Sequence, residues 1–114
     1  MDINQVAMEV IMNACAGRDK VEQAIEFIAS SRFEEAKEIL QIAEEEILKA
    51  HVAQTQMIQS QAAGESAEYS LLFIHAQDTI MTSNSELRII KHLLPVFMKQ
   101  NEKINSLVGG KIDE

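Results

Sequence analysis

The chain has 114 residues, a length that suits one domain. Hydrophobic residues make up 46% and aromatics only 4%, with Ala, Ile, Leu, Val and Met supplying the apolar content; that is helix-bundle composition and argues against an all-β domain. The net charge of −8 disfavours a nucleic-acid binder, which is normally basic, and no apolar run approaches the roughly 20 residues that span a bilayer.

The single cysteine, Cys15, cannot form an internal disulfide, and its place between Ala14 and Ala16 predicts a small buried residue. The start, Met1-Asp2-Ile3-Asn4-Gln5, lacks the basic and apolar regions of a signal peptide. Together these features predict a soluble cytoplasmic protein.

The first segment repeats in sevens. Ile3, Val10, Gly17 and Ala24 form one line, Ala7, Ala14, Val21 and Ile28 another, and Val6, Ile11 and Ile25 fill between them. This is the stripe of a packed helix over about 3–29, capped by Asp2 or Asn4. The repeat stays in phase across Gly17, which predicts a close helix approach there rather than a break. Ser31 and Glu34 have capping-box spacing for a second helix over about 32–62. Its seam is Phe33, Ala36, Leu40, Ala43, Ile47, Ala50, Gln54, Met57 and Gln61, while Glu44-Glu45-Glu46 reads as a solvated face. Gln54 and Gln61 sit either at a wet helix end or in a polar pocket.

Gly64 suits the left-handed position after a helix, and Ser66 or Ser70 suits the cap of a third helix over about 67–104. On that helix Leu72, Ala76, Ile80, Leu87, Ile90 and Leu94 fall on one side. Leu71, Ile74, His75, Asp78, Ile89 and Leu93 fall on an adjoining side, leaving a narrow polar arc of Gln77, Asn84, Arg88 and Lys91. A three-helix monomer cannot cover so much apolar circumference, so one face is predicted to meet another chain. Ser83 with Glu86 has the spacing to cap a new helix, but the apolar pattern stays in phase and predicts continuity. Pro95 predicts a kink, and Gly109-Gly110 a frayed acidic tail within 105–114. The whole reads as a single all-α domain, a three-helix up-down bundle that oligomerises.

Within the third helix His75 and Asp78, three residues apart, share a face inside an apolar run. From residue types alone, such a pair is more often a satisfied structural contact than chemistry. No His-Glu-x-x-His, Glu-x-x-His, cysteine cluster or Gly-rich phosphate loop is present. What remains for chemistry is an imidazole near neutrality, able to attack a phosphoryl group.

Ile74-His75-Ala76-Gln77-Asp78, followed by Ile80-Met81-Thr82-Ser83, resembles the active-site motif of the lactose/cellobiose-type enzyme IIA components of the bacterial phosphotransferase system. Ala50-His51-Val52-Ala53-Gln54-Thr55-Gln56-Met57-Ile58-Gln59 resembles a second motif of that family, in the right order and separation. The resemblance implies a trimeric nine-helix bundle. It implies that His75 takes a phosphoryl group on Nε2 from HPr and passes it to a cysteine of enzyme IIB, which serves the membrane enzyme IIC in uptake of a β-linked disaccharide of the cellobiose/chitobiose or lactose type. It implies that Asp78 of each chain meets its copies at the threefold axis around one structural divalent cation such as Mg²⁺. Gln54, His51, Thr79 and Gln77 are candidate pocket residues. Many members carry a second histidine where this chain has Thr79, whose hydroxyl would then be the local donor to a phosphoryl oxygen. The alternative is a non-catalytic oligomeric helical-bundle adaptor in which His75 and Asp78 form a structural polar layer. His92 reads as solvated.

Overall fold

The computed structural model describes residues 2–65 and 69–112. Three helices, α1 (Ile3–Ala29), α2 (Phe33–Ala62) and α3 (Leu71–Ile112), run up, down and up in an elongated body 73 Å long and 19 Å wide. Most of the predicted seam residues are buried, but Phe33, Gln54 and Gln61 are only half-buried, and Ala53 and Phe73, outside the predicted lines, join the core. Ile3, Val6, Ala7, Val10, Ala14, Val21 and Ala24 of α1 meet Ala36, Leu40, Ala43, Ile47, Ala50, Ala53 and Met57 of α2. Phe73, Ala76, Ile80, Leu87 and Leu94 of α3 close the core, with Ser83 as its buried polar member. Full burial of a Val- or Met-sized side chain contributes about 1.5–3 kcal/mol, so Val10, Val21 and Met57 anchor the assembly.

Alanines fill many of these positions and let the helices approach closely. The approach is tightest at Gly17. A Cβ there would lie 2.5 Å from Ile47 Cγ1 and 3.1 Å from the Ala43 carbonyl oxygen.

Local chemistry sets the ends. Asp2 caps α1 by accepting from the Asn4 N–H at 3.0 Å. At the other end the Arg32 N–H bonds the Phe27 carbonyl and the Ser31 N–H bonds the Ile28 carbonyl. With Ser31 at φ 57, this is a Schellman ending in which serine stands where glycine is usual. The Arg32 guanidinium covers the same end, 5.0 Å over the Phe27 ring. α2 ends the same way: the Glu65 N–H bonds the Ser60 carbonyl, with Gly64 at φ 78.

Several expectations are corrected. Ser31 does not cap α2, because a left-handed residue closing α1 cannot also hold the extended backbone of an N-cap. Arg32 takes that position without a side-chain capping bond, its guanidinium pairing with Glu35, and Glu34 pairs with Lys37 instead. Cys15 is exposed, since it lies on the outer side of α1 opposite Ala14 and Gly17. Ile25 is likewise on the outer face. At Ser83 the expected continuity holds: α3 runs through, and the Ser83 hydroxyl donates to the Thr79 carbonyl at 2.8 Å. The helix continues past Pro95 and beyond 104 to Ile112, so much of the predicted tail is helical. The proposed cap at Ser66 and a start at 67 lie outside the described residues, and the described helix starts at Leu71.

Gly17→Ala tests the close approach. Alanine adds about 1 kcal/mol of helix propensity, but crowding against Ile47 and the Ala43 carbonyl costs about 1–3 kcal/mol. Urea unfolding is expected to show a net loss of stability; a gain would contradict the packing described.

Candidate active site

His75 and Asp78 lie on the first turns of α3, and that end of the helix is pinned. The Ser70 hydroxyl accepts from the Phe73 N–H at 3.1 Å and donates to Asn4 Oδ1 of α1 at 2.7 Å. One side chain thus caps α3 and fixes its start against α1. Further along, Arg18 of α1 grips Glu86 of α3 in a two-pronged pair, with Nη2–Oε1 2.7 Å and Nε–Oε2 3.1 Å. The hydrogen bond to Glu86, and then its charge, raise the Arg18 pKa further. Lys91 of α3 reaches Glu44 of α2 at 2.8 Å. All are substantially exposed, so they contribute more to alignment than to stability. None of these three cross-helix ties was legible in advance, because the sequence does not set the partners' relative heights.

These contacts set the rotation of α3. At roughly 100° per residue, Asp78 falls opposite the buried line of Ala76, Ile80, Leu87 and Leu94, and His75 falls about 60° to one side of Asp78. Both residues are exposed. Among the described residues, neither side chain has a hydrogen-bond partner. The apolar residues flanking them are also uncovered: Leu71 is 70% and Met81 67% exposed, with Ile74, Ile89 and Leu93 beside them. A shallow hollow runs along this face past Met81, Ser85, Arg88, Ile89 and Leu93. The surplus apolar side anticipated for α3 is therefore present, and the chain itself does not cover it.

The other predicted pocket residues divide. The Thr79 hydroxyl donates to the His75 carbonyl oxygen at 2.9 Å, so its proton is committed to the backbone. Thr82 does the same to the Asp78 carbonyl at 2.8 Å. Gln77 is half-buried beside the core, and His51 is exposed on α2. Gln54 is half-buried, and its Oε1 is enclosed without a partner among the described residues. No hydrogen bond among the described residues joins Gln54, His51 or Gln77 to His75. The ring of exposed His92 is tied at Nδ1 to the Arg88 carbonyl, 2.7 Å away. A separate concavity between α1 and α2, lined by Val6, Leu48, Val52 and Gln56, contains neither His75 nor Asp78. No helix among the described residues is long and apolar enough to cross a membrane.

Ser70→Ala should free the start of α3 and cost about 1 kcal/mol. Hydrogen exchange is expected to speed up at the amides of Phe73 and Ile74 while those of α2 keep their protection; unchanged exchange there would remove Ser70 from the role given it.

Comparison with known proteins agrees with this geometry. The family model described as the lactose/cellobiose-specific IIA subunit of the PTS system matches residues 5–98. The lichenan-specific phosphotransferase enzyme IIA component of Bacillus subtilis is 35% identical over 111 residues, covering 97% of each chain. The crystal structure of the PTS cellobiose-specific enzyme IIA from Bacillus anthracis superposes with a TM-score of 0.83 at 32% identity, over 90% of this chain and 94% of that one. The chitobiose IIA of Escherichia coli, solved in solution in complex with HPr, gives a TM-score of 0.76 at 26% identity, over 89% and 98%. With its core, helix order and outward-facing His75 and Asp78 in view, the chain belongs to the lactose/cellobiose-specific IIA subunits of the sugar phosphotransferase system, and so is a phosphotransferase component.

Proposed function

We propose that this chain carries phosphoryl groups on His75 between HPr and enzyme IIB, in a system that takes up a β-linked sugar. The observation that carries this is the His75 ring itself: exposed, and without a hydrogen-bond partner among the described residues. A carrier histidine must be reached by donor and acceptor in turn, so it needs an open nitrogen rather than a deep pocket. The Nε2 lone pair attacks the phosphorus of the donor phosphohistidine. The new N–P bond forms as the donor's N–P bond breaks, and the electron pair returns to the donor imidazole. The second transfer repeats this, with a thiolate of enzyme IIB as nucleophile and His75 as leaving group. Such transfers depend on alignment and charge stabilisation rather than on a general acid. The E. coli relative solved with HPr supports the donor.

In the same reading the exposed face of α3 packs around a threefold axis against two other copies, giving nine helices. Asp78 sits on the middle line of that face, and His75 at its flank borders the groove between neighbours. The donor chemistry fits a shared cation. Among the described residues, one chain gathers no group of three metal-ligating side chains, whereas three copies bring three carboxylates to one place. Like charges so placed repel unless a cation joins them, and oxygen ligands suit Mg²⁺. The ion would supply only charge neutralisation at the axis. With Thr79 committed to the backbone, its hydroxyl must swing away before it can meet a phosphoryl oxygen. The protein works where HPr does, in the bacterial cytoplasm. Within one chain His75 and Asp78 form no enclosed, bonded layer; an oligomeric adaptor that used them between copies would take up no phosphate, and the carrier would.

His75→Ala, incubated with phosphoenolpyruvate, enzyme I and HPr, should take up no acid-labile phosphate; uptake at the normal rate would refute the assignment. Asp78→Leu should lower the divalent cation content of the purified protein from one per three chains to none. Unchanged content in that variant would place the metal elsewhere.

A further inference from the structure

We infer that the end of α3 beyond residue 101 is a self-association element, in which each copy packs an apolar stripe against the same stripe of two others, parallel and in register. This rests on the trimer reading above and extends it beyond the body of the bundle.

The turn joining α1 and α2 lies level with Asn101, whose Oδ1 is 3.4 Å from the Ser31 hydroxyl. Residues 102–112 therefore run on past the bundle, about 16 Å at 1.5 Å per residue, and residues 102–108 are all exposed. The overhang is not uniformly polar. Ile104 is 59% exposed, Leu107 69% and Val108 50%, while Glu102, Asn105 and Ser106 lie on other sides. The family match ends at residue 98, while the alignment with the lichenan-specific relative, over 111 residues, extends into the overhang.

The register identifies the occupant. Leu71, Asp78, Ile89, Val96 and Leu107 follow one another at steps of seven, eleven, seven and eleven. Each pair of steps makes about five full turns at 3.6 residues per turn, so the five residues lie along one line parallel to the helix axis, without the drift that forces a supercoil. All five are exposed and face away from the chain's own core. If copies close around Asp78 by rotation, every residue on a line parallel to that axis meets its own counterpart. Leu107 then faces the axis beyond the bundle, flanked by Ile104, while Asn105 points outward. The line is not free of charge: Asp78 stands on it, and Lys103, four residues before Leu107, lies about 20° off its edge, with a long flexible stem that can carry the ammonium outward past the contact. A free helical end of eleven residues would fray, and packing against its copies holds it.

The test uses the full chain with Cys15→Ser, into which Leu107→Cys or Asn105→Cys is introduced, under mild oxidation at low protein concentration. Disulfides need Cα atoms roughly 4.4–6.8 Å apart. The expected result is that Leu107→Cys yields covalent dimers at least about tenfold faster than Asn105→Cys, a difference of about 1.4 kcal/mol in barrier. Native mass of the unsubstituted chain is measured alongside. A trimeric mass with equally slow crosslinking in both variants overturns the self-association of the overhang and leaves the trimer standing. A monomeric mass overturns both.

Discussion

The setting of α3 about its own long axis is the constraint on which the rest depends. Each residue turns the helix by about 100°, so a slip of one position in the core contact would carry Asp78 off the outer face and His75 round with it. The setting is held from one side by the fit of Phe73, Ala76, Ile80, Ser83, Leu87 and Leu94 against α1 and α2. It is held along its length by three polar ties: Ser70 to Asn4, Arg18 to Glu86 and Lys91 to Glu44. The core supplies the energy. The ties, too exposed to add much stability, select one alignment among several that would bury similar area.

That setting explains how an almost featureless surface can support phosphoryl relay. Among the described residues none encloses His75, and the hydroxyls of Thr79 and Thr82, one and two turns further along, are turned back onto backbone carbonyls. The remaining contribution is placement: a ring held at a fixed height on a rigid helix, with apolar residues on either side. Gln54 Oε1 is the one buried side-chain oxygen or nitrogen among the described residues that the isolated chain leaves without a partner.

How much of this was legible depended on what each feature required. Periodicity alone exposed the seams, because the burial of Ile3, Val10, Ile47 and Leu87 repeats at helical spacing. The close approach at Gly17 was legible for the same reason: the repeat stays in phase across a residue that otherwise weakens a helix. Ser31 was misread because its capping-box spacing is real but its backbone is spent on closing α1, a choice made by the tight turn. Cys15 was misread because two alanine neighbours suggest burial, while the rotation of α1 faces it outward. Pro95 did not stop α3, and nothing local revealed that the helix would reach Ile112. His75 and Asp78 stood out as an ionisable pair in an apolar run, but only resemblance to a family distinguished a site from a structural contact.

The most direct test is nitrogen NMR of the chain labelled at its three histidines, before and after phosphorylation through enzyme I and HPr. The account predicts that the His75 ring alone changes, with the shift of a substituted Nε2, while His51 and His92 keep their positions. A phosphorylated His51 or His92 with an unaltered His75 would contradict it.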